Sequence, residues 1–110
     1  MAAPTVNDVV AWIEEDEGMV DTSYCHDHPE LVWQAIFLIL QRDLTDEEKG
    51  DLVTGPLEEL LYFHGPDFID RVEIAARSNA KFNYVLGGIW RSEMPPEIWE
   101  RVQKVRKEVW

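Results

Sequence analysis

The sequence predicts an all-α protein, a compact bundle of six to seven short helices with solenoid-like, HEAT-like character, in one domain over residues 1–110. Three observations carry this expectation. Apolar residues recur at three- and four-residue spacing along most of the chain, and no stretch alternates over a strand's length. Cap residues and first-turn prolines punctuate that spacing at short intervals. The pair Gly-Pro occurs at Gly55-Pro56 and again at Gly65-Pro66. Each glycine reads as a left-handed helix stop and each proline as the start of the next helix. The repetition gives a staircase, with too few units for a true repeat array.

The elements follow in order. Val6, Val9, Val10 and Ile13 make the apolar stripe of a first helix, capped by Thr5 or Asn7 and stopped near Gly18. His28-Pro29-Glu30 opens a second helix, with proline where its missing N–H costs nothing. From Leu31 to Leu40 nearly every face is apolar, which marks a buried central helix. Thr45-Asp46-Glu47-Glu48 is a capping box. Leu57, Leu60 and Leu61 form one stripe after the first Gly-Pro pair, and Ile69, Val72 and Ala76 another after the second. Ser78-Asn79 caps a short helix bearing Phe82, Val85 and Leu86, closed by Gly87-Gly88. Met94-Pro95-Pro96 launches a last helix with Ile98, Val102, Val105 and Val109 on one face, laced by Glu97–Arg101 and Glu100–Lys104 pairs.

Composition narrows the function classes. At 45% apolar and 29% charged the chain is globular rather than disordered. Its single cysteine, Cys25, excludes an internal disulfide and favours a reducing compartment. Met1-Ala2-Ala3-Pro4 has neither the basic region nor the apolar core of a secretory signal, and no apolar run reaches membrane-spanning length, so a cytoplasmic protein is expected. The net charge is −12, unevenly spread: residues 1–70 hold 17 acids against two bases, and residues 71–110 hold five acids against eight bases. Such a field repels nucleic acid and anionic lipid and attracts basic partners.

From His28 to Trp99 the sequence resembles a bacterial domain family of unknown function. The resemblance rests on His28-Pro29-Glu30 with Trp33, Gly55-Pro56-Leu57-Glu58 with Leu60-Leu61, and His64-Gly65 with Phe68-Ile69. It continues through Arg71-Val72-Glu73, Ala76-Arg77, Leu86-Gly87-Gly88 with Trp90, and Met94-Pro95 with Trp99. It implies a small helical protein and brings no activity.

Three constellations could carry chemistry. Cys25-His26-Asp27-His28 sets four metal-capable side chains in succession in a loop, but consecutive residues seldom converge on one ion, and no metal or other cofactor is expected. His64, Arg71, Glu73 and Arg77 form a polar cluster on otherwise apolar helices. It reads either as a base with an anion clamp or as an ion-pair lattice between helices, and the lattice is the simpler reading. Neither a phosphate loop nor a nucleophile elbow is present, so an enzyme is not expected. Glu14, Glu15, Asp16 and Glu17 end the first helix, where the macrodipole disfavours negative charge, and Asp21 and Asp27 extend the run. A locally unfavourable choice of this kind points to function unless Lys104, Arg106 and Lys107 fold over it.

The leading expectation is therefore a small acidic module that blocks or caps a basic surface of a partner protein, as an immunity protein or antitoxin does to a toxin. Trp12 serves as anchor beside Glu14, Glu15, Asp16, Glu17, Asp21 and Asp27. The alternatives are a phage inhibitor that mimics nucleic acid against a nucleic-acid-binding enzyme, a ligand-binding or enzymatic domain using His64, Arg71, Glu73 and Arg77, and a self-associating scaffold with exposed tryptophans such as Trp110.

Overall fold

Helix starts are written locally and the chain obeys most of them. In the computed structural model, which describes residues 3–15, 23–91, 94–107 and 109, six helices follow one another and no strand occurs among the described residues. They are α1 (Val6–Glu15), α2 (Ser23–Asp27), α3 (Pro29–Leu40), α4 (Asp46–Ser78), α5 (Ala80–Leu86) and α6 (Pro96–Val105). Thr5, rather than Asn7, caps α1: its backbone N–H donates to Asp8 Oδ2 at 2.8 Å, and its hydroxyl accepts from the Asp8 N–H. Pro29 and Pro96 each take a first-turn position. Thr45 and Glu48 form the reciprocal capping box that opens α4. Asn79 ends one helix and begins the next. Its N–H donates to the Ala75 carbonyl at 2.8 Å, and its side-chain oxygen accepts from the Phe82 N–H at 3.1 Å. The stop expected near Gly18 lies outside the described residues.

The largest departure from expectation is α4. The first Gly-Pro pair does not end a helix: α4 runs through Pro56 and Pro66 for 33 residues, and its only non-helical dihedrals fall at His64, with φ −134° and ψ 27°. At Gly55 no Cβ meets the proline ring, which lets the residue before proline stay helical. At the second pair tertiary contacts set the bend. His64 Nε2 donates to the His26 carbonyl at 2.8 Å, and Gly65 is pressed so closely against α6 that a Cβ there would stand 2.9 Å from Ile98 Cγ1. The bent α4 touches each of the other five helices. α3 also packs against α1, α2 and α5, so the helices form a compact all-α bundle with α4 running through it.

The core gathers among these helices. Val9, Val10 and Ile13 of α1, Val32, Trp33, Ala35, Ile36, Ile39 and Leu40 of α3, and Leu57, Leu60 and Leu61 of α4 are all buried. The α3 helix is apolar all round yet leaves Leu38 on the surface, because α4 has taken the centre. Trp33, Phe37, Phe68 and Phe82 pack with ring centroids 4.9–5.7 Å apart, the range in which aromatic pairs attract beyond their area. One polar side chain inside is fully used: Asn83 Nδ2 donates to the Ala76 and Val105 carbonyls at 3.0 and 3.1 Å, while its oxygen accepts from the Lys107 N–H at 2.9 Å. That amide fastens α5 to the ends of α4 and α6.

The pairing expected along α6 is also replaced. Arg101 does not turn to Glu97; it reaches across to Asp70 and Glu73 of α4, with Nε donating to Glu73 Oε2 at 3.1 Å. Two carboxylates on a facing helix outcompete one on its own. Val109, placed on the α6 stripe by the sequence, lies beyond the helix and is exposed.

Candidate functional site

The acidic end of α1 is half described. Glu14 and Glu15 are exposed, and Asp16, Glu17 and Asp21 lie outside the described residues. The cation that meets Glu14 is Arg42, from the turn after α3, not one of the C-terminal cations. This bridge ties the acidic end of α1 to the turn that leads into Asp46, Glu47 and Glu48, the acidic first turn of α4. Asp43, on that same turn, is also exposed. Lys49 lies buried close by, its pKa lowered chiefly by the Lys81 ammonium and then by desolvation, with Asp46 and Asp43 opposing. Asp27 stands apart, paired with His26 Nδ1 at 2.7 Å.

The C-terminal cations are engaged elsewhere. Arg106 lies over the Trp99 ring, 4.8 Å from its centroid, and donates to the Ile89 carbonyl at 3.4 Å. Lys107 is held by its backbone to Asn83, and Lys104 is exposed on α6.

The four-residue polar cluster is dispersed rather than assembled. His64 holds α2 through the His26 carbonyl. Arg71 clasps Glu30 of α3 with two hydrogen bonds, at 2.6 and 2.9 Å, and sits over the Trp33 and Phe68 rings at 5.1 and 4.8 Å. Glu73 receives Arg101 from α6, and Arg77 is exposed near it. The guanidinium of Arg71 holds the Glu30 carboxyl below the usual range, and Arg101 does the same to Glu73. His64, Arg71 and Glu73 each fasten a different helix to α4, which is the lattice arrangement, while Arg77 joins no other helix, and the enzymatic alternative has no convergent set of groups among the described residues.

The Cys25-His26-Asp27-His28 run belongs mostly to the short helix α2, not to a loop, so its side chains fan around an axis. Cys25 is buried with Sγ 3.7 Å from the Pro56 carbonyl, and burial, aided by the Glu59 charge, pushes its thiol up to about 12. His26 sets its ring edge on Phe63, 5.1 Å between centroids, and the His28 ring lies 6.2 Å from that of Tyr24. Among the described residues no three of His, Cys, Asp and Glu stand close enough to hold a metal ion. Trp12 is not the open anchor the sequence offered. It is half-buried, its ring centroid 5.2 Å from that of Tyr24, and its Nε1 is buried without a hydrogen-bond partner among the described residues.

An exposed aromatic anchor exists where the sequence did not look for one. Trp90 is 78% exposed. Its backbone N–H donates to Glu58 Oε1 at 2.6 Å, and burial pushes that carboxyl above its ordinary value. Beside it the 87–91 turn and α6 enclose a groove of about 510 Å³ floored by Ile89 and Trp99 and edged by Trp90, Arg91, Arg106 and Val109. The available signal was a tryptophan in a turn between Gly87-Gly88 and Met94-Pro95, on no helical stripe.

A model of the family of unknown function DUF6869 matches residues 3–109. Neither a curated protein nor a solved structure matches the chain. No helix among the described residues is long and apolar enough to cross a membrane.

Proposed function

The chain belongs to that family of unknown function, which lends it no activity, and from its surface we propose that it is a small protein-binding module whose acidic N-terminal half caps a basic surface on a partner protein. The observation that carries this reading is where its own cations go. Arg71 and Arg101 are spent on carboxylates inside the helical framework, and Arg106 lies on Trp99. Among the described residues, Arg42 alone meets the end of α1. Glu15, Asp43, Asp46, Glu47 and Glu48 are exposed and form no ion pair among the described residues, although Asp43 and Asp46 act electrostatically on the buried Lys49. Negative potential gathered on one surface speeds encounter with a basic cleft and rejects wrong partners. Among proteins that work this way, an immunity- or antitoxin-like inhibitor in the cytoplasm fits best, because a toxin that handles nucleic acid presents such a cleft. The nucleic-acid-mimicking inhibitor uses the same physics and differs only in the target.

The test is affinity capture from the native cell with the parent and with a variant carrying Glu14→Lys, Glu15→Lys and Glu17→Lys. The reading expects the parent to retain a basic protein, and the variant to lose it while its helical circular dichroism stays intact. Equal capture by both contradicts it.

A further inference from the structure

We propose that the groove between the 87–91 turn and α6 is a second, separate docking site, one that takes a short acidic peptide segment of another protein carrying an apolar side chain beside one or two carboxylates. Trp90 supplies the first reason. Its ring stands in solvent while its backbone is pinned to Glu58 by a 2.6 Å hydrogen bond. An aromatic anchor held on a fixed backbone loses little freedom when a partner covers it. Trp99 and Ile89 behind it give the apolar floor against which an inserted side chain would lie.

The arginines supply the second reason and fix the charge of the occupant. Arg42, Arg71 and Arg101 each meet a carboxylate of this chain. Arg91 and Arg106, both on the groove, meet none among the described residues, in a chain whose acids outnumber its bases 22 to 10. They are instead held by neutral groups: Arg91 Nε donates to the Met94 carbonyl at 3.4 Å, and Arg106 stacks on Trp99 and donates to the Ile89 carbonyl at 3.4 Å. A guanidinium steadied in this way keeps further N–H donors for a carboxylate, which it binds with two parallel hydrogen bonds.

The same features choose a peptide over nucleic acid. Two guanidiniums match one or two carboxylates, whereas nucleic-acid affinity is built from many phosphate contacts, and a net charge of −12 repels a polyanion. A groove of about 510 Å³ accepts a few side chains, not a folded surface.

The experiment is selection of a random decapeptide display library on the full chain, followed by titration of the selected peptides while the indole N–H resonances are recorded. We expect enrichment of Asp and Glu around one aliphatic or aromatic residue, and shifts in the Trp90 and Trp99 indole signals. Both Trp90→Ala and Arg91→Glu, at exposed positions, should weaken binding at least tenfold with unchanged circular dichroism, and Arg106→Gln should do the same. Enrichment of Lys and Arg, equal binding by these variants, or displacement of the peptides by oligothymidylate overturns the proposal. A library that yields no enriched sequence overturns it as well. So does concentration-dependent self-association in sedimentation that Trp90→Ala abolishes, since the occupant would then be a second copy. None of these outcomes depends on Glu14, Glu15 or Glu17, so this proposal and the acidic-surface reading fail independently.

Discussion

Arg71 shows how one side chain does two jobs. Its ion pair with Glu30 is partly exposed, and such pairs are worth about 1 kcal/mol or less. Its contact with the Trp33 and Phe68 rings closes the aromatic cluster against water, and that contribution depends on stem and plane rather than on the carboxylate. We therefore expect Arg71→Ala to cost about 1–2 kcal/mol in urea denaturation and Glu30→Gln clearly less; equal costs would show that the ion pair is the main term. Cys25 gives a pH prediction at the same scale. Its folded-state pKa of about 12 exceeds the ordinary 9.0, so the neutral thiol favours the fold at low pH. That contribution is complete below pH 9.0 and is lost as pH rises toward about 12. Stability should fall more steeply over that window in the parent than in Cys25→Ala, and thiol reagents at about pH 8 should label Cys25 only as fast as the chain opens.

At the scale of elements, Gly65 is the tightest joint. Alanine there drives a Cβ against Ile98 Cγ1 and should cost about 1–3 kcal/mol. Because Ile98→Ala removes the obstructing atoms, the double variant should lose less than the two single losses added together; strict additivity would place the strain elsewhere. The same joint explains what the sequence could and could not say. The caps at Thr5, Thr45 and Asn79, the first-turn prolines and the apolar stripes are local, so they were legible and the all-α class followed from them. Whether a Gly-Pro pair breaks a helix depends on what packs against it, and that information sits on α2 and α6. The polar cluster was legible as a set of unusual residues and illegible as a lattice, because Glu30 and Arg101, the partners of Arg71 and Glu73, are 41 and 28 residues away. Trp90 was missed for a related reason: periodicity identifies buried stripes, and an exposed side chain in a turn has no period.

For the whole molecule, the uneven charge becomes a spatial fact through one bridge. Arg42, on the turn that precedes the acidic start of α4, meets Glu14 at the end of α1, while Arg101 of α6 is tied to α4, Arg106 lies on the groove and Lys104 is exposed. Among the described residues no C-terminal cation pairs with the acids at the end of α1 or the start of α4, and the proposed function rests on that negative surface meeting a partner. The most direct measurement is the association rate with the captured partner, followed by stopped-flow from low to high ionic strength. An electrostatically steered encounter should slow by about tenfold or more as salt screens the acidic surface, with a much smaller change in the dissociation rate. An association rate that stays flat across that range would contradict the account.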